Sequence, residues 1–217
     1  MKRPECLYGF PQKKRKMQIY FIDSDAKKAA QSLINEHISS QILDAAHILC
    51  NAHRVLDGVV SPTGVMYYLH DEREPIFYKT KDIHNPWSVW CQSRVENYVW
   101  ISDYLFHLLD TYKLRFKKKH RILTFRKTIV GMPFMLQSPP FKLKEYDWTN
   151  PPLTMHNSYK QKSYEEDFSL VNIIKTYRYY YMLCAQYIKP YEVGIYFNKP
   201  PWIKEYDNFL QTLEGNN

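Results

Sequence analysis

Residues 35–58, NEHISSQILDAAHILCNAHRVLDG, form the stretch whose reading decides the fold, because two unlike patterns run through it at one period. Ile38, Ile42, Ala45, Ala46, Leu49, Ala52 and Leu56 recur at helical spacing and make an apolar stripe. His37, Ser40, Asp44, His47, Asn51 and Arg54 recur at the same spacing and form a polar ridge on another side. Solvated helix faces usually carry Lys and Glu. This ridge carries imidazoles, a short carboxylate, an amide and a guanidinium, groups that hold protons or grip anions. It reads either as a site or as a merely polar groove.

Working outward, Asp23-Ser24-Asp25 supplies N-cap chemistry for a preceding helix from Lys27 to about Ile34, and Gln18 to Ile22 is a short β-rich run. Gly58 is a helix-stop signal. Residues 59–85 read as an irregular connection with a strand pair near Val65–Leu69 and Ile76–Lys79. Asn85-Pro86 starts a further helix, and the pattern from Trp87 to Leu109 predicts one long or two consecutive helices to about Lys117. The stretch from Met132 to Pro152 is too rich in breakers for regular structure. A last helix is predicted from Glu165 to Ile188. The expectation is a mainly α, single-domain helical bundle with a short N-terminal β segment and long irregular connections. Residues 1–16 read as a flexible basic arm, 17–204 as the folded domain and 205–217 as a polar tail.

The chain has 217 residues, enough for one sizeable core. Thirty Lys and Arg against 22 Asp and Glu give a net charge of +8, which favours polyanionic partners, nucleic acid first. Aromatic residues make up 16% of the chain, and rings interleaved with cations suit base stacking as well as core packing. Cys6, Cys50, Cys91 and Cys184 lie far apart without a CxxC pair, so they read as reduced thiols rather than zinc ligands. No apolar run approaches the roughly 20 residues of a membrane helix, and no signal-peptide core is visible. An intracellular location is expected; the Lys13–Lys16 cluster is either a nuclear-import signal, a nonspecific nucleic-acid contact or a solvated tail.

With only six glycines, the chain has no phosphate loop, dinucleotide fingerprint or nucleophile elbow, and no cofactor is expected. One helical turn separates Asp44 from His47, so the carboxylate can orient the imidazole. His37 lies about 10 Å from His47 along a straight helix, too far to share a metal ion. The ridge therefore offers Asp44 as a general base and Arg54 as an anion clamp, or a structural Asp44–Arg54 salt bridge. The run RFKKKHR at 115–121 can neutralise several phosphates, or cap a helix C-terminus. In YRYYY at 177–181 the side chains cannot all face one core, which brings Arg178 forward as a phosphate ligand.

Taken in order, IYFIDSD at 19–25, the His37-to-Asp44 helix ending AHRVLDG at 52–58, HNPW at 84–87 and ENYVW at 96–100 form a pattern. Tyr112 with Arg115, Lys118 and His120, then Met155, Tyr159-Lys160, YRYYY and KPPW at 199–202 continue it. Over residues 17–204 the chain resembles the phage α-glutamyl- and α-putrescinyl-thymine pyrophosphorylases, the amino acid:DNA transferases. The resemblance implies DNA hypermodification: pyrophosphate is displaced from a pyrophosphorylated 5-hydroxymethyluracil and an amine, from an amino acid or polyamine, is attached. It implies an anion clamp of Arg54, Arg115, Lys118 and Arg178, with Asn51, His120 and Tyr177 beside it. Asp44 with His37 or His47 would supply the base, and Tyr or Trp rings would stack the extruded nucleobase. The helix is also distantly similar to the endonuclease-V-type pyrimidine-dimer glycosylases, through the His37–Asp44 spacing and Pro201-Trp202. Those enzymes attack with an N-terminal amine, which the preceding arm would keep from the site. Ser40 and Ala185 stand where the transferases carry Lys, Asp44 where they carry Glu, and Thr111 at an acidic position. These departures imply a different substrate or a DNA-binding descendant without chemistry.

Overall fold

The computed structural model describes residues 17–64, 66–123, 131–157, 168–186 and 200–203. The arm at 1–16, the tail at 205–217, Tyr159-Lys160 and both proposed outer ends of the last helix lie outside the described residues.

The architecture is mainly helical. Helix α1 (Ala26–Gln31) and helix α2 (Asn35–Asp57) are followed by a two-residue strand pair, β1 (Val59–Val60) and β2 (Tyr67–Tyr68). Helix α3 (Pro86–Ser93), helix α4 (Val95–Phe116), a 3-10 turn at Arg121–Leu123, a short α5 (Met132–Met135) and α6 (Leu170–Gln186) complete it. The apolar stripe of α2 packs against α3 and α4, and α1 lies on α4. Ile38, Ile42, Ala45, Ala46, Leu49 and Ala52 are fully buried, as the helical period requires.

Local chemistry explains the boundaries. Asp25 caps α1 by accepting from the Lys27 and Lys28 amides. That helix stops at Gln31, short of the expected Ile34, because Arg115 of α4 donates to the carbonyls of Gln31 and Leu33 at 2.6 and 2.5 Å. Asn85 caps α3 through the Trp87 amide, with Pro86 in the first turn. Arg94 is extended, with φ −148°, and divides the expected long helix into α3 and α4. Lys117 closes α4 in the left-handed region, at φ 55°.

Three expectations are corrected. The β-rich run at 18–22 forms no strand among the described residues: it is buried, and α2 side chains satisfy its backbone. Gln41 Oε1 accepts from the Tyr20 amide, Gln41 Nε2 donates to the Gln18 carbonyl, and Asp44 Oδ2 accepts from the Gln18 amide. The strand pair is 59–60 with 67–68, in antiparallel register Val59 to Tyr68, and residues 76–79 are not its second strand. Those residues curl over Arg54 instead, which removes their carbonyls from any ladder. The proline-rich stretch includes one regular turn, α5, whose proline sits in the first turn where no amide partner is needed.

Candidate functional site

Arg54, expected as an anion clamp, is fully buried and builds the fold. Nε donates to Tyr78 O at 2.6 Å, Nη1 to Tyr67 O and Glu74 Oε2 at 3.1 and 2.5 Å, and Nη2 to Glu74 O and Phe77 O at 3.1 and 3.0 Å. A guanidinium has five N–H groups, and all are engaged here. Its ion pair is with Glu74 rather than Asp44. Burial alone would raise the Glu74 carboxyl, but Lys79, the Leu69 amide and Arg54 outweigh it and lower the pKa to about 2.

The rest of the ridge divides along its length. Asn51 is fully buried, donating to Lys81 O and Ser88 Oγ and accepting from the Lys81 amide, so it anchors the connection before α3 and offers nothing to a phosphate. His37 is sealed at 0% exposure, stacked on Tyr20 at 5.2 Å between ring centres, with Nδ1 3.2 Å from the Tyr181 hydroxyl. A guest therefore cannot reach it directly. Ser40 donates to the His37 carbonyl.

Asp44 and His47 make up the rest of the ridge. Asp44 is 6% exposed and fixed by the Gln18 amide at 3.3 Å. His47, one turn on, is half-buried and stacked on Tyr78 with ring centres 4.3 Å apart. Its Nδ1 is buried and has no hydrogen-bond partner among the described residues. Burial, reinforced by the charge of Lys81, lowers the His47 pKa to about 4, so the ring is neutral near pH 7. Lys81 was missed in the sequence because it lies in the irregular connection; the Asn51–Lys81 pairing that delivers it is a tertiary contact.

The other expected phosphate ligands fare unevenly. Arg115 binds the end of α1, as above, with Asn35 Oδ1 also within 3.3 Å. Arg178 donates to Ile22 O at 2.7 Å and to Asp23 Oδ2 at 3.0 Å, and lies over the Trp202 ring at 5.2 Å. Tyr177 is fully buried and donates to Pro152 O; Tyr180 and Tyr181 are also buried. His120 is buried, with Nδ1 accepting from the Ile122 amide and Nε2 3.1 Å from Ser39 Oγ. Arg54, Asn51, Arg115, Arg178, Tyr177 and His120 are thus positioned by the fold for packing, and Lys118 alone of the expected set is exposed. The tryptophans follow the same course: Trp87, Trp90, Trp100 and Trp202 are buried, and Phe21, Trp87, Trp90, Trp148 and Tyr177 make a continuous aromatic cluster.

A second polar network was not anticipated, because His53 lies off the ridge. Arg73 Nη1 donates to His53 Nδ1 at 2.9 Å, which fixes the proton on Nε2; Nε2 then donates to the Tyr98 hydroxyl at 2.8 Å, and Tyr98 donates to Leu136 O at 3.0 Å. Arg73 also pairs with Asp57 and Asp71 at 2.7 and 2.6 Å. This network ties the end of α2 to α4 and to the loop at Phe141. Cys50 and Cys91 are buried free thiols, and burial pushes Cys50 up to about 12, so neither is a nucleophile at neutral pH.

A cavity of about 630 Å³ opens elsewhere, between α1 and the C-terminal half of α4. Among the described residues no helix is long and apolar enough to cross a membrane. No family model, curated protein or solved structure matches the chain.

Proposed function

We propose that the protein acts on DNA and transfers an amine to a modified thymine, with Asp44 and His47 handling the proton. The observation that carries this reading is the pair itself: a neutral, half-buried imidazole, whose buried Nδ1 has no hydrogen-bond partner among the described residues, one turn from an anchored carboxylate and beside Lys81. The net charge of +8 and the resemblance of the ordered motifs to those of amino acid:DNA transferases support the choice of DNA as substrate.

In the proposed step the amine nitrogen bonds to the C5 methylene carbon as the carbon–oxygen bond breaks. Pyrophosphate leaves with the electron pair, and the ammonium proton passes to His47. The arriving pyrophosphate raises the proton affinity of the imidazole, and Lys81 offsets the charge of the leaving group. Lys81 takes the role first given to Arg54, Arg115 and Arg178, which are bound into the fold.

The test supplies DNA bearing pyrophosphorylated 5-hydroxymethyluracil, with amino acids and polyamines, and reads nucleoside masses. Asp44→Asn keeps an oxygen for the Gln18 amide, and His47→Gln keeps the approximate shape. Each should lower product formation by about 10²-fold or more, with DNA affinity within about twofold of the parent. Parent-like turnover in both variants would remove the proton-handling assignment.

A non-catalytic DNA-binding reading is favoured by one observation, the complete engagement of Arg54. It predicts DNA binding with unchanged nucleosides. The glycosylase alternative turns on the N-terminal arm, outside the described residues, and predicts a borohydride-trapped protein–DNA adduct.

A further inference from the structure

The segment from Lys113 to Lys119 contains five cations and no acid. A helix C-terminus carries only about half a negative charge, and Arg115 already turns away to the carbonyls of α1. Helix capping therefore does not account for the remaining lysines. Lys113 and Lys117 instead share the 630 Å³ cavity with Lys27 and Gln31 of α1 and with His107 and Asp110 of α4. Thr111, at its floor, has its hydroxyl turned back to the His107 carbonyl. Lys27, Lys113, Lys117, Lys118 and Lys119 are exposed and form no ion pair with any described residue.

We infer that this cavity and the adjoining Lys118-Lys119 form the docking surface for the phosphate backbone of DNA. The inference deepens the DNA-acting reading above by assigning binding to a surface separate from Asp44 and His47. Three physical features point to a polyanion. Lys27, Lys113 and Lys117 outnumber the single Asp110 on the concave walls, and a positive excess in a concave site focuses the field. The lysines extend past the cavity rim along Lys117, Lys118 and Lys119, further than one small anion needs. Gln31 and His107 add side-chain N–H groups suited to phosphate oxygens. Arg115 fixes the geometry by clamping α1 to α4, so the two lysine-bearing walls keep their spacing.

The test measures anisotropy of a fluorescein-labelled DNA duplex over a salt series, using the full chain. The variant carries Lys27→Gln, Lys113→Gln and Lys117→Gln, all at exposed positions, with circular dichroism confirming its fold. Its salt slope should fall by about 3, at about 0.9 per lost phosphate contact, and its affinity at about 0.1 M salt by 10-fold or more. Lys142→Gln with Lys144→Gln, exposed lysines outside the cavity, should leave both quantities unchanged. Inorganic phosphate at matched ionic strength should not displace the duplex; displacement would reassign the cavity to a small anion. A triple variant that binds like the parent overturns the surface while leaving the DNA-acting reading intact. A parent that fails to bind at low salt overturns both. Binding with the expected slope but no nucleoside product sinks only the chemistry.

Discussion

Removing the Arg54 side chain takes the hydrogen-bond donor from four backbone carbonyls and the Glu74 carboxylate in one step. Lost partners of buried charges cost more than lost contacts, because groups already stripped of water stay unsatisfied. Arg54→Met should therefore lower unfolding free energy by about 3–5 kcal/mol, read by urea titration. Arg54→Lys should recover little of this, since one ammonium cannot span the fork. A variant with parental stability would show that the 67–78 loop is held by other means. Asp44 contrasts with it: its carboxylate accepts from the Gln18 amide at 3.3 Å, and Asp44→Asn keeps an oxygen for that bond while removing the charge.

At the scale of elements, the ends of α2 and α4 are set by different means. Gly58 has φ −82°, an ordinary value, so a left-handed turn is not the reason for glycine there. A Cβ at Gly58 would stand 2.3 Å from the Arg54 carbonyl oxygen and 2.9 Å from that of Tyr68, both backbone atoms. Gly58→Ala should accordingly cost about 2 kcal/mol or more and loosen the β1–β2 pair, measured by denaturation and amide exchange. Lys117 is the reverse case, a lysine with φ 55° where glycine is easiest. Lys117→Gly should raise stability by up to ~1 kcal/mol. It should also weaken DNA binding if the α1–α4 cavity is the docking surface. Greater stability with unchanged binding would separate the cap from the proposed interface.

Across the whole molecule, pH acts through buried histidines and paired carboxylates. Burial lowers His47, helped by Lys81. It also lowers His53, where Arg73 adds to burial and Asp57 opposes it. A histidine with a depressed folded pKa binds protons more readily when unfolded, so the slope of stability against pH is positive there. Stability should be fully present above pH 6.5 and fall as pH drops toward about 4, the His47 value. His47→Gln should flatten part of that decline in urea titrations at stepped pH. A decline of equal size in the variant would assign it elsewhere. Below about 4 a second loss should follow, as Glu74, Asp57 and Asp71 take up protons in the unfolded chain first.

Helical period and capping residues are local properties, so the sequence alone determined α2 with its buried stripe, the Asn85-Pro86 start of α3 and the mainly α class. The polar ridge was legible for the same reason, since residues three and four apart share a face whatever surrounds them. What that face meets was decided only in three dimensions. Residues 17–22 and 67–81 lie far along the chain from the ridge side chains they cover, and their backbone polar groups needed partners once buried. Gln41, Asn51 and Arg54 met that need, and Asp44 met part of it while His47 was left with a spare nitrogen. The α1–α4 cavity is likewise a tertiary product, because it joins Lys27 to Lys113 and Lys117 through a packing contact that no local pattern encodes.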